Sequence, residues 1–397
     1  MYSRRELFLR HLAQTSPSPP MLDIERAEGV FLFDQNGKKY TDLISGIAVS
    51  SLGHKHPVIQ KAVIDQVERH MHLMVYGEFI ISPQQELASR LASLLPPSLD
   101  SVYFTNSGAE AVEGAMKLAK RLTGRTGIAS FRHSYHGSTQ GALSICGNEE
   151  LKNAFRPLLP GHRMLEYNDE NSLQQIDDSL AAVFIEPIQA EAGVILPHHG
   201  FLEKVKSRCE ATGTLLVFDE IQTGMGRTGK LFAFLEHGIT PDVLLLGKAF
   251  GGGMPLAAFI SSHENMSALT HHPVLGHLTT FGGHPVSCAA AMASLNFIVG
   301  NNLAVDTLRK EKLFRENLKH PSIIEIRGRG LMLSLKFSSE KFNQDVILKC
   351  YDKGLITDWF LFAPDCLRIA PPLIISDEEI ADACTKLTAA IEEVTIK

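Results

Sequence analysis

The sequence predicts an α/β protein, with a large domain built on a mostly parallel sheet and a smaller α+β domain after it. Three observations carry this. Short, continuous apolar runs recur through the middle of the chain. Helix-like segments lie between several of them, and apolar strands alternating with helices make a parallel sheet covered on both faces. The chain's 397 residues exceed one domain of about 150 residues, and the pattern changes after about residue 298.

In chain order, the opening MYSRRELFLRHLAQ reads as an amphipathic helix that ends before the Pro-rich connector 16–20. Arg4, Arg5 and Arg10 also fit a transit peptide, whereas the apolar stretch of a secretory signal is missing. Residues 30–33 and 39–43 are two short strands around Gln35-Asn36-Gly37, a hairpin signal. Strands are then expected at 102–105 (VYFT), 127–131 (GIASF), 181–186 (AAVFIE), 214–219 (TLLVFD), 243–246 and 256–260. Helices are expected at 109–122, 200–212 and 229–237. Beyond residue 298 come a polar helical segment, strands at 323–327 and 331–337, a helix, and a closing helix near 377–394. The chain shows no internal repeat and no low-complexity tract.

Composition narrows the class of function. Charged residues make up 21% and the formal charge is −6, so there is no electrostatic footprint for nucleic acid. No apolar run approaches the roughly 20 residues needed to span a bilayer, and no membrane partner is expected. Six cysteines are scattered without a CxxC pair, which argues against a disulfide scaffold or zinc ribbon and fits a reducing, cytoplasmic setting. His54/His56, His133/His136 and His271/His272 have no metal-ligand spacing and read as structural or solvated.

In an open α/β sheet, ligands bind beyond the carboxyl ends of the strands, so the polar residues just past each strand are the candidates. The first strand runs into Thr105-Asn106-Ser107-Gly108-Ala109-Glu110 and an alanine-rich helix, which suits either a phosphate at the helix N-terminus or a plain N-cap. The strand 214–219 ends in Asp219-Glu220, where a carboxylate can pair with a cationic ligand atom or stay solvated. The strand 243–246 ends in Gly247-Lys248-Ala249, a lysine among small residues that is either a nucleophile or a surface group. Taken together, a phosphate cradle, a carboxylate and a lysine at parallel strand ends fit pyridoxal phosphate. Gly224-Met225-Gly226-Arg227-Thr228-Gly229 is a literal GxGxxG, but it trails the strand and lacks the later acid of a dinucleotide site.

Over nearly its full length the chain resembles the class III aminotransferases of pyridoxal-phosphate fold type I. The matching segments are 46–57 (GIAVSSLGHKHP), 104–110 (FTNSGAE), Tyr135-His136-Gly137, 185–194 (IEPIQAEAGV), 217–229 (VFDEIQTGMGRTG), 241–255 (PDVLLLGKAFGGGMP), 280–285 (TFGGHP) and 367–371 (LRIAP). The resemblance implies that Lys248 carries the cofactor and shuttles the proton, and that Asp219 pairs with its ring nitrogen. It places Ser107, Gly108 and Ala109 at the phosphate, joined by Thr280 of a second subunit, so that a homodimer shares its active sites. Tyr135 and Ile221 would cover the two ring faces, Gln222 would bond the ring hydroxyl, and Glu186 would support from behind. It also implies a split small domain: an N-terminal segment (1–75) packing with the C-terminal domain (299–397), around a large cofactor-binding domain (76–298).

On the substrate side, Arg368 matches the family arginine for an α-carboxylate, and Glu191 matches the acid that pairs with it when an ω-amino substrate is bound; a purely structural ion pair is the alternative. The chain looks most like acetylornithine aminotransferase and its ornithine- and succinylornithine-processing relatives, with 2-oxoglutarate as amino acceptor. One departure stands out. Where those enzymes read HGRT, this chain reads His136-Gly137-Ser138-Thr139. Either another arginine, Arg132 or Arg163, replaces the lost charge, or the donor is a diamine or 4-aminobutyrate. A mutase or racemase, a non-catalytic binding protein on the same scaffold, and an NAD-dependent oxidoreductase are the competing classes. The Glu191–Arg368 pair and the complete set of Lys248, Asp219 and phosphate loop weigh against them.

Overall fold

The computed structural model describes residues 2–396. Near the N-terminus, β1 (Ile24–Glu28), β2 (Phe31–Asp34) and β3 (Lys39–Asp42) form an antiparallel meander. The turn between β2 and β3 is the one expected: Gly37 has φ +81°, and Asp34 Oδ1 accepts from the backbone of Asn36 and Lys38 at 2.9 Å each.

The central sheet contains β4 (Ser101–Thr105), β5 (Gly127–Phe131), β6 (His162–Leu165), β7 (Leu180–Ile185), β8 (Leu215–Asp219), β9 (Val243–Leu246) and β10 (Ala257–Ser261), in the spatial order β4-β10-β9-β8-β7-β5-β6. From β9 to β6 every neighbour is parallel. Strand β10 is antiparallel to both β9 and β4. The connection 247–256 holds only a short 3₁₀ turn, Lys248–Gly251, and cannot make the crossover that a parallel strand needs.

Alternate residues of these strands feed two cores. Ala182, Phe184, Val217, Val243, Leu245 and Phe259 pack against Ala111, Val112, Ala115 and Met116 of the helix Gly108–Thr123. Val183, Ile185, Leu216, Phe218, Leu244 and Leu246 pack on the other face with Phe201, Leu202 and Val205 of the helix Phe201–Thr212. Burial on both faces explains why the strands read as continuous apolar runs.

Three departures from the sequence expectation have physical causes. Residues 229–237 form no α-helix but turns and a 3₁₀ segment, Ala233–Glu236, because the backbone N–H groups of Ala233 and Phe234 are taken by the buried Glu220 carboxylate at 2.7 Å each. The helix Pro285–Gly300 was not anticipated: it is buried on most sides and carries no amphipathic stripe to read. The N-terminal helix Arg4–His11 is present, with a Ser3/Glu6 capping box, yet none of its residues is buried, so its apolar side chains face no core in the protomer.

At the C-terminal end, β11 (Glu325–Arg329), β12 (Met332–Lys336), β14 (Trp359–Phe360) and β15 (Ala363–Ile369) form an antiparallel sheet in the order β11-β12-β15-β14. The short β13 (Leu355–Ile356) instead pairs in parallel with β3, tying the N-terminal meander to the C-terminal part. The helix Asp377–Thr395, capped by Ser376 and Glu379, closes the chain. The GMGRTG loop has a structural task. Arg227, 1% exposed, donates to the carbonyls of Leu331 and Pro371 and to Ser51 Oγ, joining the central sheet to both flanking regions. Burial without a carboxylate partner pushes its pKa down to about 10. Among the described residues no single helix is long and apolar enough to cross a membrane.

Gly114 is closely packed in the helix that leads from β4. A Cβ there would stand 2.3 Å from Cε1 of Phe259 on β10, whose ring is fully buried. Gly114→Ala should therefore lower stability by about 1–3 kcal/mol through overpacking, despite the roughly 1 kcal/mol gain in helix propensity. A thermal melt showing a higher midpoint would contradict this packing.

Candidate active site

The parallel topology carries chemistry-bearing residues to one edge of the central sheet. Asp219 ends β8, Lys248 follows β9, Glu186 follows β7, Tyr135–Ser138 follow β5, and Gly108 opens the helix after β4. They converge on a cavity of about 220 Å³, lined also by Ala109, Glu191, Ile221, Gln222 and Thr223. Two wider clefts, of about 550 and 500 Å³, contain none of these residues.

Asp219 lies at the cavity floor and is 4% exposed. Its Oδ2 meets His136 Nδ1 at 2.7 Å, and its Oδ1 accepts from the Ile221 N–H at 3.1 Å. Burial disfavours the charged His136 ring, but the hydrogen bond and charge of Asp219, with Glu186 behind, raise the imidazole pKa above its ordinary value. Of the two expectations for His136, structural or solvated, the structure bears out the first: it is the buried, direct partner of the Asp219 carboxylate, with no sequence signal beyond its place next to Tyr135. Glu186 accepts from the N–H groups of Tyr135 (3.3 Å) and Ala190 (3.1 Å), and burial pushes its pKa up to about 7.

Lys248 adopts φ +46°, a left-handed conformation that costs a non-glycine residue about 1–3 kcal/mol and persists only where the surroundings enforce it. Burial pushes its ammonium below the usual value, against the attraction of Glu191. At the phosphate-loop candidate, Ser107 caps the helix Gly108–Thr123 by accepting from the Glu110 N–H at 3.3 Å and is itself exposed. Gly108 and Ala109 line the cavity directly. A Cβ on Gly108 would stand 2.7 Å from Ile221 Cδ1, so glycine keeps this corner open. Thr280 is exposed and outside the cavity of its own protomer.

Glu191 and Arg368 meet in a two-pronged bridge, Nη1 to Oε1 at 3.1 Å and Nη2 to Oε2 at 2.9 Å, with both residues 3% exposed. Gln222 touches both partners, accepting from Arg368 Nη1 at 3.1 Å and donating to Glu191 Oε1 at 3.2 Å. A second carboxylate, Asp358, accepts from Arg368 Nε at 2.8 Å; burial lifts its pKa to about 6 even beside the guanidinium. Nothing in the sequence pattern pointed to Asp358. Ser138 is exposed at the cavity wall, its Oγ 3.0 Å from the Tyr135 hydroxyl. Of the two arginines considered as its replacement, Arg163 sits at the start of β6, at the opposite edge of the sheet, bonded to Asp177 and Ser179. Its placement rules it out. Arg132 follows β5 at the correct edge but is bound to Glu166 at 2.7 Å and does not line the cavity.

The family model for aminotransferase class III matches residues 12–391. An acetylornithine aminotransferase of Methanopyrus kandleri is 40% identical over 369 residues, 92% of each chain. A succinylornithine transaminase of Yersinia pseudotuberculosis is 37% identical over 400 residues, covering 96% of this chain and 94% of its own. The crystal structure of the ornithine aminotransferase from Toxoplasma gondii superposes with a TM-score of 0.91 at 31% identity, covering 100% of this chain and 96% of the other.

The Asp219–His136 pair makes a testable contribution to stability. Removing one partner, His136→Phe, should cost the cofactor-free protein on the order of 3 kcal/mol, since a buried carboxylate loses its counter-charge. Because the folded-state imidazole pKa is raised, the ionic part of this stabilisation is fully present below the unfolded value of about 6.5 and fades as pH rises through the folded value. Denaturant unfolding across pH should show the gap between wild type and variant widest near pH 6; a gap that widens on the alkaline side would contradict the charge assignment.

Proposed function

The chain belongs to the class III aminotransferases, and on that premise we propose that it moves the ω-amino group of an acetylornithine- or ornithine-type donor to 2-oxoglutarate, as a cytoplasmic homodimer with shared active sites. The enzyme transfers nitrogenous groups with pyridoxal phosphate. When bound, that cofactor supplies an aldehyde for the amine and a protonated ring that withdraws electrons from the substrate carbon.

The cavity's own chemistry fits this group. It has an acid on its floor, an amine with a lowered pKa, and a helix N-terminus opened by a glycine that leaves no side chain in the corner. We assign Lys248 as the covalent tether and proton carrier; its Nζ holds and returns the proton of the substrate carbon, a task helped by a depressed pKa. Asp219, held by His136 and the Ile221 N–H, is assigned to the ring nitrogen. Gly108, Ala109 and the exposed Ser107 are assigned to the phosphate, with Thr280 of the partner subunit completing it. Tyr135 and Ile221 take the ring faces, Gln222 the ring hydroxyl, and Glu186 the support behind Tyr135. The division into 1–75 with 299–397 and a large domain at 76–298 is proposed on the same footing.

One observation carries the two-substrate reading: the two-pronged Glu191–Arg368 bridge at the cavity. A desolvated guanidinium needs a carboxylate. Glu191 supplies it while a donor with a plain CH₂–NH₂ end is bound, and an α-carboxylate can replace it in the other half-reaction. Relatives named for acetylornithine and succinylornithine support the donor class. A second reading, a diamine or 4-aminobutyrate donor, draws on the uncharged Ser138 at the cavity wall.

Three measurements test these assignments. Lys248→Ala should abolish turnover and the absorbance of the lysine-bound cofactor; retained turnover would remove the central assignment. Ser138→Arg should raise kcat/KM for acetylornithine by about tenfold, the worth of one charge-assisted contact, and an unchanged value would mean that the charge is not limiting. A spectral titration with acetylornithine, succinylornithine, ornithine, lysine, 4-aminobutyrate and putrescine chooses between the donors. Response to putrescine or 4-aminobutyrate alone would overturn the ornithine reading.

A further inference from the structure

Arg368 has more partners than a substrate-exchanging arginine requires, and they divide by position. Its Nη1 and Nη2 face Glu191, while its Nε is bonded to Asp358 Oδ1 at 2.8 Å. The backbone repeats the link, with the Arg368 N–H donating to the Asp358 carbonyl at 2.9 Å. The guanidinium also lies over the Phe360 ring, 4.2 Å from its centroid. Asp358 sits between β13 and β14, and β14 pairs with β15, which carries Arg368. The acceptor and the arginine are therefore held by one hairpin.

Glu191 likewise has partners that do not depend on Arg368. Its Oε2 accepts from the Leu361 N–H at 3.1 Å and its Oε1 from Gln222 Nε2 at 3.2 Å. If the bridge parts, Glu191 keeps two donors. Arg368 keeps Asp358 at Nε, Gln222 Oε1 at Nη1 (3.1 Å), the Trp359 carbonyl at Nη2 (3.2 Å) and the Phe360 ring beneath it, and Asp358 is the one charged acceptor among them.

We propose that Asp358 is a positioning residue for carboxylate recognition: it locks the Arg368 guanidinium at Nε, so that the Nη1–Nη2 edge stays aimed at the place a substrate carboxylate takes when Glu191 leaves it. This rests on the two-substrate reading above. The geometry supports it because the Nη1–Nη2 edge already meets the Glu191 carboxylate with two hydrogen bonds, an arrangement that a substrate carboxylate can take over. With Nε committed, the guanidinium has no need to turn between the two half-reactions. Without that anchor the guanidinium would be held only by Gln222 Oε1 and the Trp359 carbonyl, both on the Nη atoms that a substrate carboxylate must engage, and the added ordering would weaken binding.

The test uses the cofactor-loaded enzyme and glutarate, a dicarboxylate that cannot react, titrated calorimetrically. Asp358→Ala should weaken glutarate binding about tenfold or more, whereas Asp358→Asn, which keeps an oxygen for Nε, should stay within about threefold. In turnover, Asp358→Ala should raise KM for the 2-oxo acid about tenfold with kcat changed less than about twofold, a split that general loosening of the fold would not produce. Asp358→Glu, which displaces the acceptor by one methylene, supplies the weakening variant if the alanine protein does not fold. Wild-type affinity in Asp358→Ala or Asp358→Glu would overturn the proposal, as would an asparagine variant as weak as the displaced or truncated one. Wild-type enzyme that ignores glutarate overturns it together with the acceptor reading. Wild-type enzyme that binds glutarate but responds to no amine breaks the donor reading alone.

Discussion

The structure is organised around one constraint: a carboxylate, Asp219, has to remain buried and aimed at the end of a central strand. Carboxylates removed from water need hydrogen bonds and a counter-charge, and here these come from two directions. His136 reaches over from the loop after β5, and the Ile221 N–H comes from the turn that Asp219 itself opens. The need for His136 fixes the course of the β5 loop, which in turn delivers Tyr135 and Ser138 to the cavity. Glu186 anchors the same loop through the Tyr135 N–H. The next residue in sequence, Glu220, is buried as well and organises the following segment by accepting two backbone N–H groups. Two adjacent acids thus point to different tasks, one toward the cavity and one into the scaffold.

Six strands of the central sheet were legible in the sequence because most of their residues are buried apolar ones, whereas β6, half-buried at the sheet's edge with the sequence HRML, was not. All of β7 and β9 is buried, so nothing interrupts their apolar runs. Topology alone then places the residues at the strand ends, Asp219, Lys248 and the Gly108 corner among them. What escaped the sequence reading lacked such a signature. His136 is one histidine among 17, and its partner lies 83 positions away. The helix Pro285–Gly300 is apolar on nearly every side and has no period to detect. The expected helix at 229–237 failed because a carboxylate outside that segment, Glu220, claims the N–H groups a helix would use. Asp358 lies between two strands of two residues each, too short to show a pattern.

The same logic of partners governs how the substrate side can move. Glu191 belongs to the loop after β7, while Arg368 lies on β15, so the bridge joins the central sheet to the C-terminal one. Arg227 makes a second junction between the same two regions, gripping the carbonyl of Leu331, just before β12, and that of Pro371, just beyond β15. Because Arg227 is buried and surrendering its acceptors would leave a charged group without partners, that junction resists rigid-body separation of the sheets. Any parting of the Glu191–Arg368 bridge would then fall to side-chain movement rather than to displacement of one sheet from the other. Each member of the pair has partners of its own, Glu191 the Leu361 N–H and Gln222, Arg368 the Asp358 carboxylate and the Trp359 carbonyl, so on the proposed function the bridge can part without leaving either charge bare.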